Sequence, residues 1–482
     1  MLGIDAIDPA AMGWHIWLLL LEAPGVLAAV HALFNKRDPR SALVWVVFCV
    51  AFPLLGLLLY VVFGRNRVRR VARKLKSHDE TGQPPRDVPD WQALPGVPEY
   101  LQPLDRLGMA TTHRALKAGN QVMLLADGES AYAAMLSAIH AAREQVLLST
   151  YIFDAAGVGV PFIAALSDAA SRGVEVRVLV DGVGEWYSRP RVIERLRAAG
   201  VMACRFQSPK PWSLAAYLNL RNHRKILVVD GRHAFAGGMN IRNHHVPDAQ
   251  GMVAAEDLHF SLLGPIAEDL ARLFIEDWQF VSDRPISAPP WLAVGASVMG
   301  DSLCRLVEDG PDENMDKLTR VILAAVHQSR ERLYIVTPYF LPPREIMIAL
   351  QSAALRGVDV RILLPEHNNL PFVGWASRHI LSPLLQAGVR IFWYERAFLH
   401  AKLFSVDGCY VQMGSHNLDA RSLRLNFELG VEIHDRAIAE EAEAYFATHC
   451  QQAREVTVQS LASRPFLSKL RDAVCWLFSP YL

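Results

Sequence analysis

The stretch HRKILVVDGRHAFAGGMN runs from His223 to Asn240, and HAKLFSVDGCYVQMGSHN runs from His400 to Asn417. Each carries His-x-Lys-x4-Asp, at His223, Lys225 and Asp230 and again at His400, Lys402 and Asp407. Six residues then separate the Asp from a Gly-Gly or Gly-Ser pair, and Asn240 or Asn417 closes the pattern. The apolar run after each lysine predicts a strand, on which period-two geometry sets His and Lys on one face. The Asp-Gly that follows, Asp230-Gly231 or Asp407-Gly408, predicts a hairpin turn. One His-x-Lys on a strand is ordinarily a solvated face. Two copies with matching downstream Gly and Asn describe a duplicated unit whose halves can build one phosphate-handling site.

The repeat extends outward from these stretches. In the first half LLADG (Leu124 to Gly128) leads through a helical stretch to QVLLSTYIF (Gln145 to Phe153), and a second helix leads to RGVEVRVLVD (Arg172 to Asp181). In the second half RLVEDG (Arg305 to Gly310), RLYIVTPYF (Arg332 to Phe340) and RGVDVRILLP (Arg356 to Pro365) follow in the same order. Apolar β-branched runs alternating with helical periods predict an α/β fold with a largely parallel sheet in each half and a pseudo-twofold between them. The predicted domains are 101–284 and 301–455, joined by a proline-rich linker at 285–300 and followed by an amphipathic tail at 456–482.

Ahead of this repeat stand two apolar stretches, about 14–34 and 42–63, each long enough for a hydrocarbon core that needs about 20 residues. They predict a transmembrane helical hairpin within residues 1–76, followed by a linker over 77–100. No basic region precedes the first stretch, which argues against a cleaved signal peptide. Lys36, Arg37 and Arg40 lie between the stretches, and Arg65, Arg67, Arg69, Arg70, Arg73, Lys74 and Lys76 follow the second. Positive-inside logic then places the large C-terminal part in the cytoplasm of a multi-pass membrane protein. Glu22 and His31 lie within the first stretch beside Pro24, where ionisable groups are costly in hydrocarbon.

Composition narrows the chemistry. The chain has 49 basic and 49 acidic residues, so no global positive charge marks a nucleic-acid binder. Its six cysteines form neither a CxxC pair nor a ligand cluster, which speaks against a zinc site or a disulfide scaffold. Displacement at a phosphodiester needs a nucleophile, a proton donor for the leaving alkoxide, and positive charge around the non-bridging oxygens. One neutral imidazole can attack phosphorus while a second, protonated, serves the leaving oxygen. Lys225 and Lys402 supply charge, and Asn240 and Asn417 supply amide donors. The scheme calls for no metal and no cofactor. His233, His244 and His245 have no counterpart in the second half and read as surface or packing residues.

The paired motif resembles the phospholipase D superfamily, and the surrounding sequence is similar to bacterial cardiolipin synthases. NLRNHRK (Asn219 to Lys225), TPYFLPP (Thr337 to Pro343), GSHNLDARSLRLNFE (Gly414 to Glu428) and the membrane-like segment Arg37 to Arg67 carry the likeness, which covers nearly the whole chain. The segment Ile241 to Phe260 departs from it by lacking an acidic, tyrosine-bearing stretch. The resemblance implies a bacterial inner-membrane enzyme that moves a phosphatidyl group from one phosphatidylglycerol to another, giving cardiolipin and glycerol. It assigns His223 as nucleophile and His400 as general acid and base. Hydrolysis, or transfer to another acceptor such as phosphatidylethanolamine, would use the same groups. Asp257, 34 residues beyond His223, and Glu428, 28 beyond His400, are the expected carboxylates that orient the histidine of their own repeat. Asp230 and Asp407 are expected to brace the hairpins. The implied partners are phosphatidylglycerol and anionic membrane lipid, and no nucleic acid.

Overall fold

A computed structural model describes residues 9–36, 39–64, 91–207, 220–247, 254–282, 286, 297–312 and 314–479. The basic run from Arg65 to Lys76, the linker to residue 90 and most of the join between the halves lie outside the described residues. The chain divides into an N-terminal unit and a large unit that holds both repeats.

In the N-terminal unit, α1 (Pro9–Asn35) packs against α2 (Pro39–Ala51) and α3 (Pro53–Leu59). Close approach depends on small residues. A Cβ at Gly25 would lie 2.3 Å from the Cys49 carbonyl oxygen, and one at Gly56 would lie 2.6 Å from the Cys49 Cα. His31 Nδ1 is 2.9 Å from the Tyr60 hydroxyl, so its polar edge has an internal partner. The second apolar stretch differs from expectation. Pro53 has no N–H to continue the ladder, so the helix ends at Phe52 (φ −132°) and restarts with Pro53 at its first position. Among the described residues, no helix is long and apolar enough to cross a membrane. The expectation of two unbroken crossing helices is corrected accordingly.

The large unit is built on one sheet of fifteen strands. The first half supplies β1 (Lys117–Leu125), β2 (Gln145–Thr150), β3 (Glu175–Asp181), β4 (Met202–Phe206), β5 (Ile226–Val229), β6 (His233–Gly237) and β7 (His259–Leu263). The second supplies β8 (Ser302–Asp309), β9 (Arg332–Val336), β10 (Asp359–Pro365), β11 (Arg390–Tyr394), β12 (Leu403–Val406), β13 (Tyr410–Gly414), β14 (Glu428–His434) and β15 (Ala453–Val456). From the centre outward the first half runs β1, β7, β6, β5, β2, β3, β4, and the second runs β8, β14, β13, β12, β9, β10, β11, β15. The sequence repeat is therefore a spatial pseudo-twofold about the antiparallel β1–β8 contact.

In each half three consecutive strands, β2–β3–β4 and β9–β10–β11, are parallel; the strands toward the centre, and β15 at the outer edge of the second half, pair antiparallel, so the expectation of a largely parallel sheet is corrected. Helix α4 (Gly128–Ala141) joins β1 to β2 and α5 (Gly159–Ser171) crosses from β2 to its parallel neighbour β3; in the second half α6 (Lys317–Gln328) joins β8 to β9 and α7 (Arg344–Leu355) crosses from β9 to its parallel neighbour β10. Helices on both faces leave β2 wholly buried, and its apolar run is continuous for that reason. Each half has its own apolar core. Ion pairs stitch the halves: Arg305 lies between Asp105 (2.8 Å) and Glu432 (2.6 Å), and Arg114 reaches Asp269 (3.3 Å) and Glu308 (3.0 Å).

Candidate active site

Both His-x-Lys segments lie just ahead of their strands, β5 and β12, at the centre of the molecule. The chain that leads into each pairs with the other half. Asn222 bridges Phe427, and His223 N donates to the Phe427 carbonyl at 2.9 Å. Leu399 bridges Glu256, and His400 N donates to the Glu256 carbonyl at 2.6 Å. These two short ladders bring each histidine beside the residue that follows its bridge partner in the opposite half.

The carboxylates are consequently exchanged. Glu428 serves His223, with both its oxygens 3.1 Å from Nδ1, and Asp257 Oδ2 lies 2.7 Å from His400 Nδ1. The expectation that each repeat orients its own histidine is corrected: each carboxylate contacts the histidine of the other repeat. In both cases Nδ1 faces an acceptor and carries the ring proton, which leaves Nε2 with the lone pair.

The two carboxylates are not equally supported. Glu428 accepts from Ser415 Oγ at 2.5 Å, Ser422 Oγ at 2.7 Å and Asn426 Nδ2 at 3.1 Å in addition to His223. Asp257 takes His400 and its neighbour's amide, Leu258 N at 2.8 Å. At the place equivalent to Ser415 the first half has Gly238, where a Cβ would lie 2.2 Å from Asp257 Oδ1. The hydroxyls around Glu428 stand in the quoted stretch from Gly414 to Glu428 but were not assigned from it.

Burial alone would raise the pKa of Glu428, yet His223, Lys225 and the Ser415 hydroxyl hold it down at about 2. Both imidazoles are driven toward the neutral form. Burial is the largest cause for each; Lys225 and Lys402 add to it at His223, against Glu428, and Lys402, Lys225 and His223 add to it at His400. Lys225 is lowered to about 7 by burial with Lys402 adding, against Glu428. Lys402 is lowered to about 8, again by burial, against Asp257 and Glu428. Lys225 Nζ donates to the His223 carbonyl at 2.6 Å, and Lys402 Nζ to that of His400. Burial disfavours charge on both lysines, so a bound anion would favour their charged forms.

Asn240 Oδ1 accepts from Ile152 N at 3.0 Å, and its amide nitrogen has no partner among the described residues. Asn417 is 5 % exposed, and its Oδ1 is without a hydrogen-bond partner. Tyr151 packs edge-on to His223 with ring centres 5.2 Å apart, and Tyr339 edge-on to His400 at 6.4 Å. Sequence reasoning missed both, although STY (Ser149 to Tyr151) and TPY (Thr337 to Tyr339) occupy the ends of β2 and β9. His245 is buried 6.2 Å from the His400 ring, His233 bonds Ser261 Oγ at 2.8 Å, and His244 is exposed. His259, two residues past Asp257, is buried in β7 with its Nδ1 unpartnered.

Asp230 and Asp407 stand away from the imidazoles, at the hairpin ends. The Asp230 carboxylate accepts from Arg143, Glu144 and Gln145 N–H groups, and Asp407 from those of Arg330, Glu331 and Arg332. Each has positive φ, 50° and 52°, ahead of a glycine at 62°.

Comparison with known proteins agrees with this geometry. Residues 135–278 and 322–450 match the family described as cardiolipin synthase, PLD-like domain. Residues 24–65 match that described as phospholipase D-nuclease N-terminal. The chain is 33% identical over 491 residues to cardiolipin synthase A of Pseudomonas aeruginosa, covering 100% of this chain and 99% of that protein. It is 31% identical over 473 residues to the cardiolipin synthase of Geobacillus thermodenitrificans, covering 97% and 94%. The phosphatidylserine synthase of Haemophilus influenzae shares the fold, with a TM-score of 0.61 at 16% identity over 79% of this chain and 100% of that one.

Proposed function

The chain belongs to the bacterial cardiolipin synthase family of the phospholipase D superfamily, and is a phosphatidyltransferase of that superfamily. We propose that it joins two molecules of phosphatidylglycerol through a phosphatidyl-histidine at His223. The observation that carries this reading is the pair of imidazoles, each with Nδ1 on a carboxylate and set beside a lysine of lowered pKa.

In the first step His223 Nε2 attacks phosphorus and the P–O bond to the glycerol headgroup breaks. His400, protonated once the anionic phosphodiester is bound, gives its proton to the leaving glycerol oxygen. In the second step His400 takes the proton of a hydroxyl on a second phosphatidylglycerol, whose oxygen attacks phosphorus as the P–N bond breaks. Lys225, Lys402 and the amides of Asn240 and Asn417 hold the non-bridging oxygens. Glu428 fixes the His223 tautomer and stabilises its positive charge, and Asp257 does so for His400.

Residues 9–64 hold the enzyme at the bacterial inner membrane, and the basic flank beyond them sets the catalytic unit on the cytoplasmic side. The test is product analysis by mass spectrometry after incubating purified protein with phosphatidylglycerol vesicles, beside His223→Ala. Cardiolipin with free glycerol, lost in the variant, is the expected result. Phosphatidic acid alone, or cardiolipin still made by the variant, overturns the proposal.

A further inference from the structure

The catalytic unit ends in a helix, α9, whose relation to the site follows from the helix it packs on, α8 (Pro371–Ile380). Residues Phe466–Trp476 form α9, sequence FLSKLRDAVCW. One face is pinned to the fold. Asp472 is 1 % exposed and takes Arg464 and Arg471, at 2.5 Å and 2.8 Å. Arg471 lies over the Trp375 ring at 4.2 Å, Trp476 packs on His379 at 5.0 Å, and Cys475 packs against Leu341, Val373 and Ala376.

Among the described residues the other face is left exposed. Phe466, Leu467, Leu470, Val474 and Leu477 are 75 %, 75 %, 48 %, 48 % and 67 % exposed, and Phe478 continues the stripe. Their spacing of three and four residues sets them along one side of the helix. Leu370 and Phe372, at the start of α8, are also exposed. Tyr339, which faces His400, packs on the same apolar cluster that receives Cys475 of α9, so the pinned side of the helix and the site share that cluster.

We propose that α9 is a docking element for an anionic bilayer, distinct from the N-terminal unit, and that it seats the mouth of the two-histidine site against the lipid surface. A helix apolar on one side with basic residues beside the stripe lies in the plane of an interface. Charge agrees: from Arg464 to Phe478 the chain carries Arg464, Lys469 and Arg471 against Asp472 alone. Lipid, not a second copy of this chain, is the occupant that matches both the basic flank and the position beside a site for phospholipid. The function of this docking rests on the phosphatidyl-transfer reading, while the contact itself does not.

The test uses the full-length protein and a variant with Leu467, Leu470, Val474 and Leu477 each changed to Ser, all exposed and outside the core. Transfer is measured on equimolar phosphatidylglycerol and phosphatidylcholine vesicles and on short-chain phosphatidylglycerol dispersed as monomers. The expected result is a rate on vesicles lower by roughly tenfold or more, with the monomer rate kept, since four apolar contacts with lipid are lost. Brominated lipid should quench the fluorescence added by Leu470→Trp, on the exposed stripe. Equal vesicle rates, an equal loss in Leu355→Ser on another exposed helix face, or a changed oligomeric state with an unchanged vesicle rate overturns the proposal. No transfer by wild type on either substrate would instead strike the phosphatidyl-transfer reading, with brominated-lipid quenching still deciding the contact.

Discussion

His223 and Glu428 are 205 residues apart in the chain and share a hydrogen bond, as do His400 and Asp257 across 143. The exchange gives a sharp kinetic expectation. Loss of His223 should lower the rate by on the order of 10³-fold to 10⁶-fold, and adding Glu428→Gln to it should cost little more, because the two act as one unit. Glu428→Gln and Asp257→Asn should combine nearly multiplicatively by comparison. A cycle that couples His223 to Asp257 and leaves Glu428 independent would refute the exchanged assignment. Protonation offers a second handle. Burial and the two lysines lower both imidazoles, so the limb on which the nucleophile becomes protonated should fall below the ordinary histidine value of about 6.5. Lys225 near 7 and Lys402 near 8 are partly neutral at pH 8, and a bound phosphodiester anion favours their charged forms. Binding of a phosphonate analogue of phosphatidylglycerol at pH 8 should therefore take up protons, up to about 1.4 from the two lysines together. Calorimetry in buffers of different ionisation enthalpy reads this directly, and zero uptake or release would contradict the electrostatics of the site.

Among the elements, the hairpins β5–β6 and β12–β13 carry the regularity that made the fold legible. The Asp-Gly turns and the strands after each lysine follow from periodicity and turn chemistry, because local backbone preference decides them. Asp230 and Asp407 tie these hairpins to the first residues of β2 and β9 through three backbone N–H groups each. Asp230→Ala should destabilise by about 2–4 kcal/mol, from the hydrogen bonds lost to three N–H groups and a residue less tolerant of positive φ. Asp230→Asn keeps an acceptor and the left-handed preference, so it should cost less. Thermal denaturation of the two variants checks the order; equal losses would mean that the carboxylate charge, not the turn, matters. Two features resisted sequence reading for definite reasons. The partner exchange depends on the bridges Asn222–Phe427 and Glu256–Leu399, long-range contacts with no local signature. In the N-terminal unit hydropathy summed across Pro53, whereas the backbone breaks there because proline lacks the donor a continuous helix needs.

At the level of the catalytic unit, neither half completes a site alone, and the physical bond between them is buried charge as much as apolar contact. Arg224 shows how the site and the interface share parts. From the first half it bonds Asp277 at 2.6 Å and reaches the carbonyl oxygens of Glu428 at 3.1 Å and Asp309 at 3.3 Å in the second. It is one residue from the proposed nucleophile and 2 % exposed. Replacing it with alanine removes a guanidinium from three acceptors in a dry setting, a loss of about 3–5 kcal/mol. Because the acceptors lie in both halves, the destabilisation should not stay in one of them. The catalytic unit is expected to unfold in one transition, with probes on Trp278 in the first half and Trp393 in the second reporting the same midpoint. Arg224→Ala should move both midpoints together. If instead the first-half probe shifts and the second does not, the halves are thermodynamically separable, and the exchanged carboxylates would be held by docking of two independently stable domains.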